Sequence, residues 1–159
     1  MNEIRNIAVD IVKKLKSKNY IALFAGGCVR DEIMGIIPKD YDIATDARPQ
    51  EIINLFEKTV PVGAKFGVVL VIFDEIQFEV ATFRSDGIYL DGRHPEEVNF
   101  SESPKEDAVR RDFTINGMMY DPVSERLYDY VGGLRDIEEG IIRCIGDERK
   151  RISEDKLRM

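Results

Sequence analysis

Residues 20–44 read YIALFAGGCVRDEIMGIIPKDYDIA, and the order of their parts decides the fold. Tyr20 to Ala25 is an apolar run of strand length that stops at Gly26-Gly27. From Cys28 to Met34 the spacing predicts a helix, and Asp40 to Ala44 alternates as a second strand. A strand, a glycine turn and a helix present free backbone N–H groups where the helix dipole favours an anion. Arg30 falls one turn into that helix, so the turn can hold a polyphosphate; equally, it can be a tight turn with Arg30 paired to Asp31 or Asp40. Asp40 and Asp42 sit two apart on the predicted strand, which points both carboxylates to one face. Two oxygen anions so placed form a platform for magnesium, although solvated acids at a strand end produce the same pattern.

Working outward, Ile4, Ile7, Ala8, Ile11, Val12 and Leu15 recur at helical spacing with lysines between them, so an amphipathic helix precedes the decisive stretch. Behind it, Arg48 to Phe56 reads as a helix with Pro49 in its first turn. Gly67 to Asp74 and Ile76 to Phe83 predict a hairpin buried on both faces, turning at Asp74-Glu75 without a glycine. Glu79 projects to the opposite face from Phe78 and Val80, and a carboxylate within an apolar strand needs a partner if it is buried; a structural ion pair would supply one. Arg84 to Lys105, with two glycines and two prolines, predicts a long loop of the kind that is usually functional. Glu106 to Met119 reads as a helix carrying the mixed-charge run Arg110, Arg111 and Asp112. Arg126 to Tyr130 reads as a short strand, and Leu134 to Gly146 as a turn of helix followed by a strand at Ile141 to Ile145. Asp147 to Met159 has helical character with no stop signal, so a fragment of a longer protein is expected. On that helix Asp155 and Arg158 share a face, either as an ordinary ion pair or as a donor–acceptor template for a base edge.

The 159 residues carry 23 Lys+Arg against 30 Asp+Glu, a formal charge of −7. One domain of this length can hide roughly 70% of its unfolded surface. Cys28, Cys144 and the single histidine, His94, cannot assemble a zinc site or a disulfide framework. Any chemistry therefore falls to carboxylates, arginines, backbone amides and an oxygen-loving metal. An acidic balance argues against a general nucleic-acid coat. The longest apolar run, Val68 to Phe73, is far short of the ~20 residues of a membrane helix, so no membrane association and a cytoplasmic location are expected.

Taken in order, GGCVRD (Gly26 to Asp31), DYDIATDARP (Asp40 to Pro49), FEVATFR (Phe78 to Arg84), RRDFTING (Arg110 to Gly117), YVGGLRDI (Tyr130 to Ile137) and EDKLR (Glu154 to Arg158) resemble the head domain of class II tRNA nucleotidyltransferases. That group, within the polymerase-beta-like superfamily, includes CCA-adding enzymes, A-adding enzymes and bacterial poly(A) polymerases. The resemblance implies an α+β fold with a mixed, mainly antiparallel sheet of about five strands and helices on one side. It implies a catalytic head over residues 1–146 and the start of a helical neck over 147–159. It implies template-independent addition of C, A or both to the tRNA 3′ end (CCA addition) from CTP and ATP, with two Mg2+ ions and pyrophosphate release. A-adding or poly(A) activity, or a head that binds nucleotide with little transfer, are the alternatives.

Residue by residue, the resemblance makes Asp40 and Asp42 the metal ligands and Glu79 a third catalytic acid. Gly26, Gly27 and Arg30 would bind the triphosphate, Arg111 and Asp112 would contact the nucleotide, and Asp155 with Arg158 would read the base. Ser85 to Ser103 matches the family's flexible loop, which favours A addition.

Overall fold

The structure, a computed structural model, describes residues 3–85 and 99–146. The predicted first helix is α1 (Glu3–Ser17), which buries Ala8, Ile11, Val12 and Leu15 and leaves its lysine-bearing side toward solvent. It is followed by β1 (Ala22–Ala25), α2 (Gly27–Ile33), β2 (Asp42–Thr45) and α3 (Pro49–Leu55). Next come β3 (Thr59–Gly63), β4 (Val68–Phe73), β5 (Ile76–Thr82) and a short pair, β6 (Arg84–Ser85) and β7 (Asn99–Phe100). The remaining elements are α4 (Pro104–Val109), β8 (Met119–Asp121), β9 (Arg126–Tyr128) and α5 (Gly133–Glu139).

Seven strands form one sheet in the order β3-β4-β5-β2-β1-β8-β9. Only β2 and β5 pair in parallel, with Ile43 opposite Val80; the other neighbours are antiparallel. The α+β class and the mainly antiparallel mixed sheet are thus as expected, with two strands beyond the anticipated five. The extra edge strand β3 carries Pro61 at a register shift between Val60 and Gly63, where the missing N–H of proline costs no ladder bond. The other, β8, starts at Met119, the last residue of the segment that the spacing made helical.

One face of the sheet carries the main core, in which Phe24, Ile43, Val69, Phe78 and Val80 meet α1, α2 and α3. Each such side chain contributes roughly 1.5–3 kcal/mol by leaving water. Among the described residues the other face is covered at its centre, where Leu23, Ala25, Ala44, Phe83 and Met119 pack with Ala108 of α4. Central β1 is therefore buried on both faces, while β5 is not: Phe78 and Val80 are buried, and Gln77 and Glu79 are exposed. The hairpin buried on both faces is corrected accordingly, because among the described residues nothing covers the outer face of β4 and β5 as α4 covers the centre.

Two further readings are corrected. The helix read over Glu106 to Met119 ends at Val109, after which a single 3₁₀ turn spans Thr114–Asn116. Asp112 binds the Phe113 N–H through its own carboxylate at 2.7 Å, a local bond that competes with helix. The strand read at Ile141 to Ile145 is a single bridge between Phe113 and Cys144. It has only the irregular Asp112-Phe113 stretch to pair with, and Ile142 is left exposed.

The β4–β5 turn has Asp74 at φ 49° and Glu75 at φ 67°, both left-handed and neither glycine. Such a turn matches the strand twist but costs side-chain-bearing residues energy. Glu75→Gly is expected to stabilise the protein by about 0.5–1 kcal/mol, seen as a melting temperature roughly 1–4 °C higher; an unchanged or lower midpoint would contradict the strain.

Candidate functional site

Gly26 adopts φ 79°, ψ −140°, a conformation that side chains disfavour, and its carbonyl accepts from the Val29 and Arg30 N–H groups as α2 begins. Two arginines flank this turn. A methyl added at Gly27 would lie 3.3 Å from Arg30 Nη2, and one added at Gly26 would lie 3.5 Å from Arg111 Nη1. Arg30 is not left loose: its Nε and Nη2 donate to Asp31 at 3.0 and 2.9 Å, and its Nη1 donates to Asn116 Oδ1 at 2.8 Å. Of the two ion-pair partners weighed from sequence, Asp31 holds it.

The acids stand across the turn. Asp40 precedes β2 by one residue, Tyr41, and Asp42 opens the strand. Because Ile43 pairs with Val80, Asp42 and Glu79 each sit one residue before the same parallel pair and emerge on the same rim. Asp40, Asp42 and Glu79 line a cleft of about 580 Å³ with Lys39 and Gln77. All three acids reach solvent, so the burial penalty that would have demanded an ion-pair partner for Glu79 does not arise.

Although Asp42 reaches solvent, the surrounding walls of the cleft replace part of its water. That burial, reinforced by the charges of Glu79 and then Asp40 and opposed by Arg111, pushes its carboxyl from 3.8 up to about 6. Between the two aspartates, Tyr41 points the other way, into the core, 1% exposed and with its ring 5.0 Å from Phe24. Its hydroxyl donates to Glu32 Oε2 at 2.9 Å, and Glu32 pairs with Arg5 Nε at 2.8 Å. The backbone carrying both acids is thereby tied to α2 and α1.

Among the described residues, no group of three or more acids, histidines or cysteines converges enough to hold a metal ion by itself. A platform of two carboxylates still fits magnesium, which keeps several waters and completes its shell with substrate phosphates. The buried Cys28 thiol is pushed up to about 12, chiefly by burial, and is no nucleophile at neutral pH.

The RRDFTING segment contributes Arg111 to the site and holds much of the rest in place. Arg111 Nη2 donates to Asp107 at 2.9 Å, and its charge reaches Asp42. Asp112 is adjacent in sequence, but its carboxylate is engaged by the Phe113 N–H. Thr114 donates to the buried Asp136 at 2.6 Å, which Arg143 also contacts at 3.2 Å. A methyl on Gly133 would stand 2.3 Å from the Thr114 carbonyl. This backbone contact is why YVGGLRDI carries glycine there. Asp129 completes the junction by accepting from the Gly132, Gly133 and Leu134 N–H groups at 2.9–3.0 Å.

The structure thus brings Gly26, Gly27, Arg30, Arg111, Asp40, Asp42 and Glu79 around one region. The proposed base readers, Asp155 and Arg158, and most of the loop from Ser85 to Ser103 lie outside the described residues. The loop's described ends pair as β6 and β7, with Arg84 opposite Phe100. Sequence reasoning missed Asp107, Asn116 and Tyr41. Each lay inside or beside a quoted motif, but the partners that give them meaning are distant in sequence or on the backbone.

The family model described as "Poly A polymerase head domain" matches residues 22–143. A CCA-adding enzyme of Bacillus pumilus is 47% identical over all of this chain and 40% of its own length, and one of Bacillus licheniformis is 48% identical over 96% of this chain and 38% of its own. The crystal structure of the Bacillus stearothermophilus CCA-adding enzyme in complex with CTP superposes with a TM-score of 0.87 at 40% identity, covering 100% of this chain and 38% of that one. The chain therefore spans about two fifths of the length of these relatives. With the glycine turn, the two aspartates and the RRDFTING junction all inside the matched segment, the chain belongs to the poly(A) polymerase head-domain family.

Proposed function

We propose that this chain is the catalytic head of a template-independent RNA nucleotidyltransferase that adds C and A to the 3′ end of tRNA from CTP and ATP, releasing pyrophosphate. The observation that carries the reading is the parallel β2–β5 register, which sets Asp42 beside Glu79 on the rim that Asp40 shares, with Arg111 close enough to act on Asp42. The relatives support the substrate, since one was solved with CTP. In this reading residues 1–146 are the head, 147–159 begin a helical neck, and the protein works in the cytoplasm. No helix among the described residues is long and apolar enough to cross a membrane.

The 3′-hydroxyl of the RNA attacks the α-phosphorus of the nucleotide in line, and the pyrophosphate leaves. Asp40 and Asp42 would hold magnesium, which lowers the pKa of the attacking hydroxyl and neutralises charge on the leaving oxygens. Glu79 adds negative charge beside them. The Gly26-Gly27 amides and Arg30 neutralise and orient the triphosphate. Arg111, with Asp112, contacts the nucleotide from the opposite side of the turn. Asp155 and Arg158 match the base edge: in cytosine, N4 donates to a carboxylate while N3 and O2 accept from an arginine.

Titration of CTP and ATP with magnesium, followed by labelled nucleotide and tRNA lacking its 3′ end, tests the whole. Binding with extension supports the enzyme, binding without extension supports a head that needs the rest of its longer relatives' length, and no binding refutes the reading. Asp40→Ala and Asp42→Ala are expected to abolish incorporation in a folded protein; full activity in either would sink the metal assignment. Exchanging Asp155 and Arg158 for alanine in a full-length background is expected to broaden the choice among ATP, CTP, UTP and GTP, and an unchanged preference would remove the template role.

Asp42 also makes a prediction about stability. Its folded pKa of about 6 exceeds the 3.8 of the free side chain, so the folded state holds this proton more tightly and loses stability as pH rises from about 4 to 6. Asp42→Asn is therefore expected to stabilise the metal-free protein at pH 7.5 by up to about 1 kcal/mol once solvent screening is allowed for. The gain should shrink below pH 4. Thermal melts across pH measure it; a destabilised variant at pH 7.5 would contradict the charge crowding.

A further inference from the structure

We infer that Asp107 is the positioning residue of the nucleotide pocket, a buried carboxylate that holds Arg111 over the glycine turn and ties it to the β6–β7 stem. The inference rests on the nucleotidyl-transfer reading, because it assigns Arg111 to the incoming nucleotide.

Asp107 lies in α4 and is 2% exposed. A carboxylate at that depth persists only if its charge is compensated and its lone pairs are used. Oδ2 accepts from Arg111 Nη2 at 2.9 Å. Oδ1 accepts from the backbone N–H of Arg84 at 2.9 Å and from Arg110 Nε at 3.3 Å. One side chain thus joins three points separated in function: the first residue of β6, a neighbouring guanidinium, and the guanidinium that faces Gly26.

Arg111 shows by its own bonding that it is held from outside. Among the described residues its buried Nε has no hydrogen-bond partner. A guanidinium free to choose would satisfy that donor. Instead its Nη2 is drawn to Asp107, and its Nη1 stands 3.5 Å from the position a side-chain carbon on Gly26 would take. The arginine is set ready for a ligand at the turn, at the expense of one of its own donors. Pre-positioning of this kind raises affinity by removing the cost of ordering a long side chain when the ligand arrives.

The Arg84 bond gives the clamp a second arm. Because Arg84 spends its N–H on Asp107, the start of the β6–β7 pair is fixed to the same carboxylate that fixes Arg111. Ser101, just past β7, is fixed beside it through its N–H to the Phe83 carbonyl at 2.8 Å. A displacement of the stem is therefore transmitted to Arg111 through one shared side chain.

The test uses the 159-residue chain as unmodified protein and as Asp107→Asn, Asp107→Glu and Arg110→Gln variants, with calorimetric titration of CTP and ATP in Mg2+, titration of Mg2+ alone, and thermal melts to establish folding. Asp107→Asn removes the charge that holds Arg111. Asp107→Glu keeps the charge but moves it by a methylene, and serves where the first variant does not fold. Both are expected to weaken CTP and ATP binding by about tenfold or more while Mg2+ affinity changes by less than about twofold. Arg110→Gln, which removes the other guanidinium and leaves the Arg111 pair intact, is expected to keep nucleotide affinity within about twofold. Unaltered CTP affinity in a folded Asp107 variant overturns the inference, as does an equal loss in Arg110→Gln or a parallel loss of Mg2+ affinity, either of which marks a merely structural carboxylate. Absence of nucleotide binding by the unmodified chain overturns the nucleotidyl-transfer reading, and the inference with it.

Discussion

The repulsion between carboxylates at one end of the β2–β5 pair is the constraint around which the rest of the structure is arranged. Parallel pairing of Ile43 with Val80 leaves no freedom in where Asp42 and Glu79 emerge: on the same rim, one strand spacing apart. With Asp40 on the same cleft, three carboxylates share one rim, and the loss of surrounding water, reinforced by the charges of Glu79 and Asp40, raises the pKa of Asp42 at a cost to the folded protein. A fold bearing such a cost needs stabilisation elsewhere. The apolar contacts of Phe24, Ile43, Phe78 and Val80 with three helices supply it, on the face away from the acids.

That division of labour between faces recurs at single residues. Tyr41 sits between two exposed aspartates yet is buried, bonded to Glu32 and packed against Phe24 with its ring tilted. Its side chain works for the core so that its neighbours can work for the site. The same holds for the RRDFTING and YVGGLRDI segments. Thr114 with Asp136, the close approach of Gly133 to the Thr114 carbonyl, and the Asn116 bond to Arg30 lock two motifs to each other and to the glycine turn. Much of what looks like a functional signature is the joinery that keeps arginines where an anion would meet them.

The opposite charge is distributed with the same economy. Arg30 is shared between Asp31 and Asn116, and Arg111 between Asp107 and the turn. Both guanidinium groups are partly exposed, so they stay able to meet phosphate oxygens while their geometry is already determined. A net charge of −7 for the whole chain says little about this region, where arginines and carboxylates face each other across the glycine turn.

Local chemistry was legible in the sequence by itself. Periodicity located α1, α2, α3, β1 and the β4–β5 hairpin, because apolar spacing reports directly on which side of an element meets the core. The glycine pair, the Asp-x-Asp and the order of the six motifs pointed to the family, because close backbone approach and paired carboxylates admit few substitutes. Elements whose existence depends on a distant neighbour were not legible. β8 is short and pairs with β1 far back in the chain; β3 pairs with the next strand but is largely exposed and carries Pro61, so no apolar run announces it; α4 stops early because Asp112 finds a local bond. Only the tertiary structure decided that β5 would be exposed on one face, that Glu79 would stand beside Asp42, and that Asp107 would hold Arg84 and Arg111 on one carboxylate. The reason is physical: periodicity encodes burial along one element, whereas register, shared hydrogen bonds and crowded charge are properties of pairs that exist only once the chain has closed on itself.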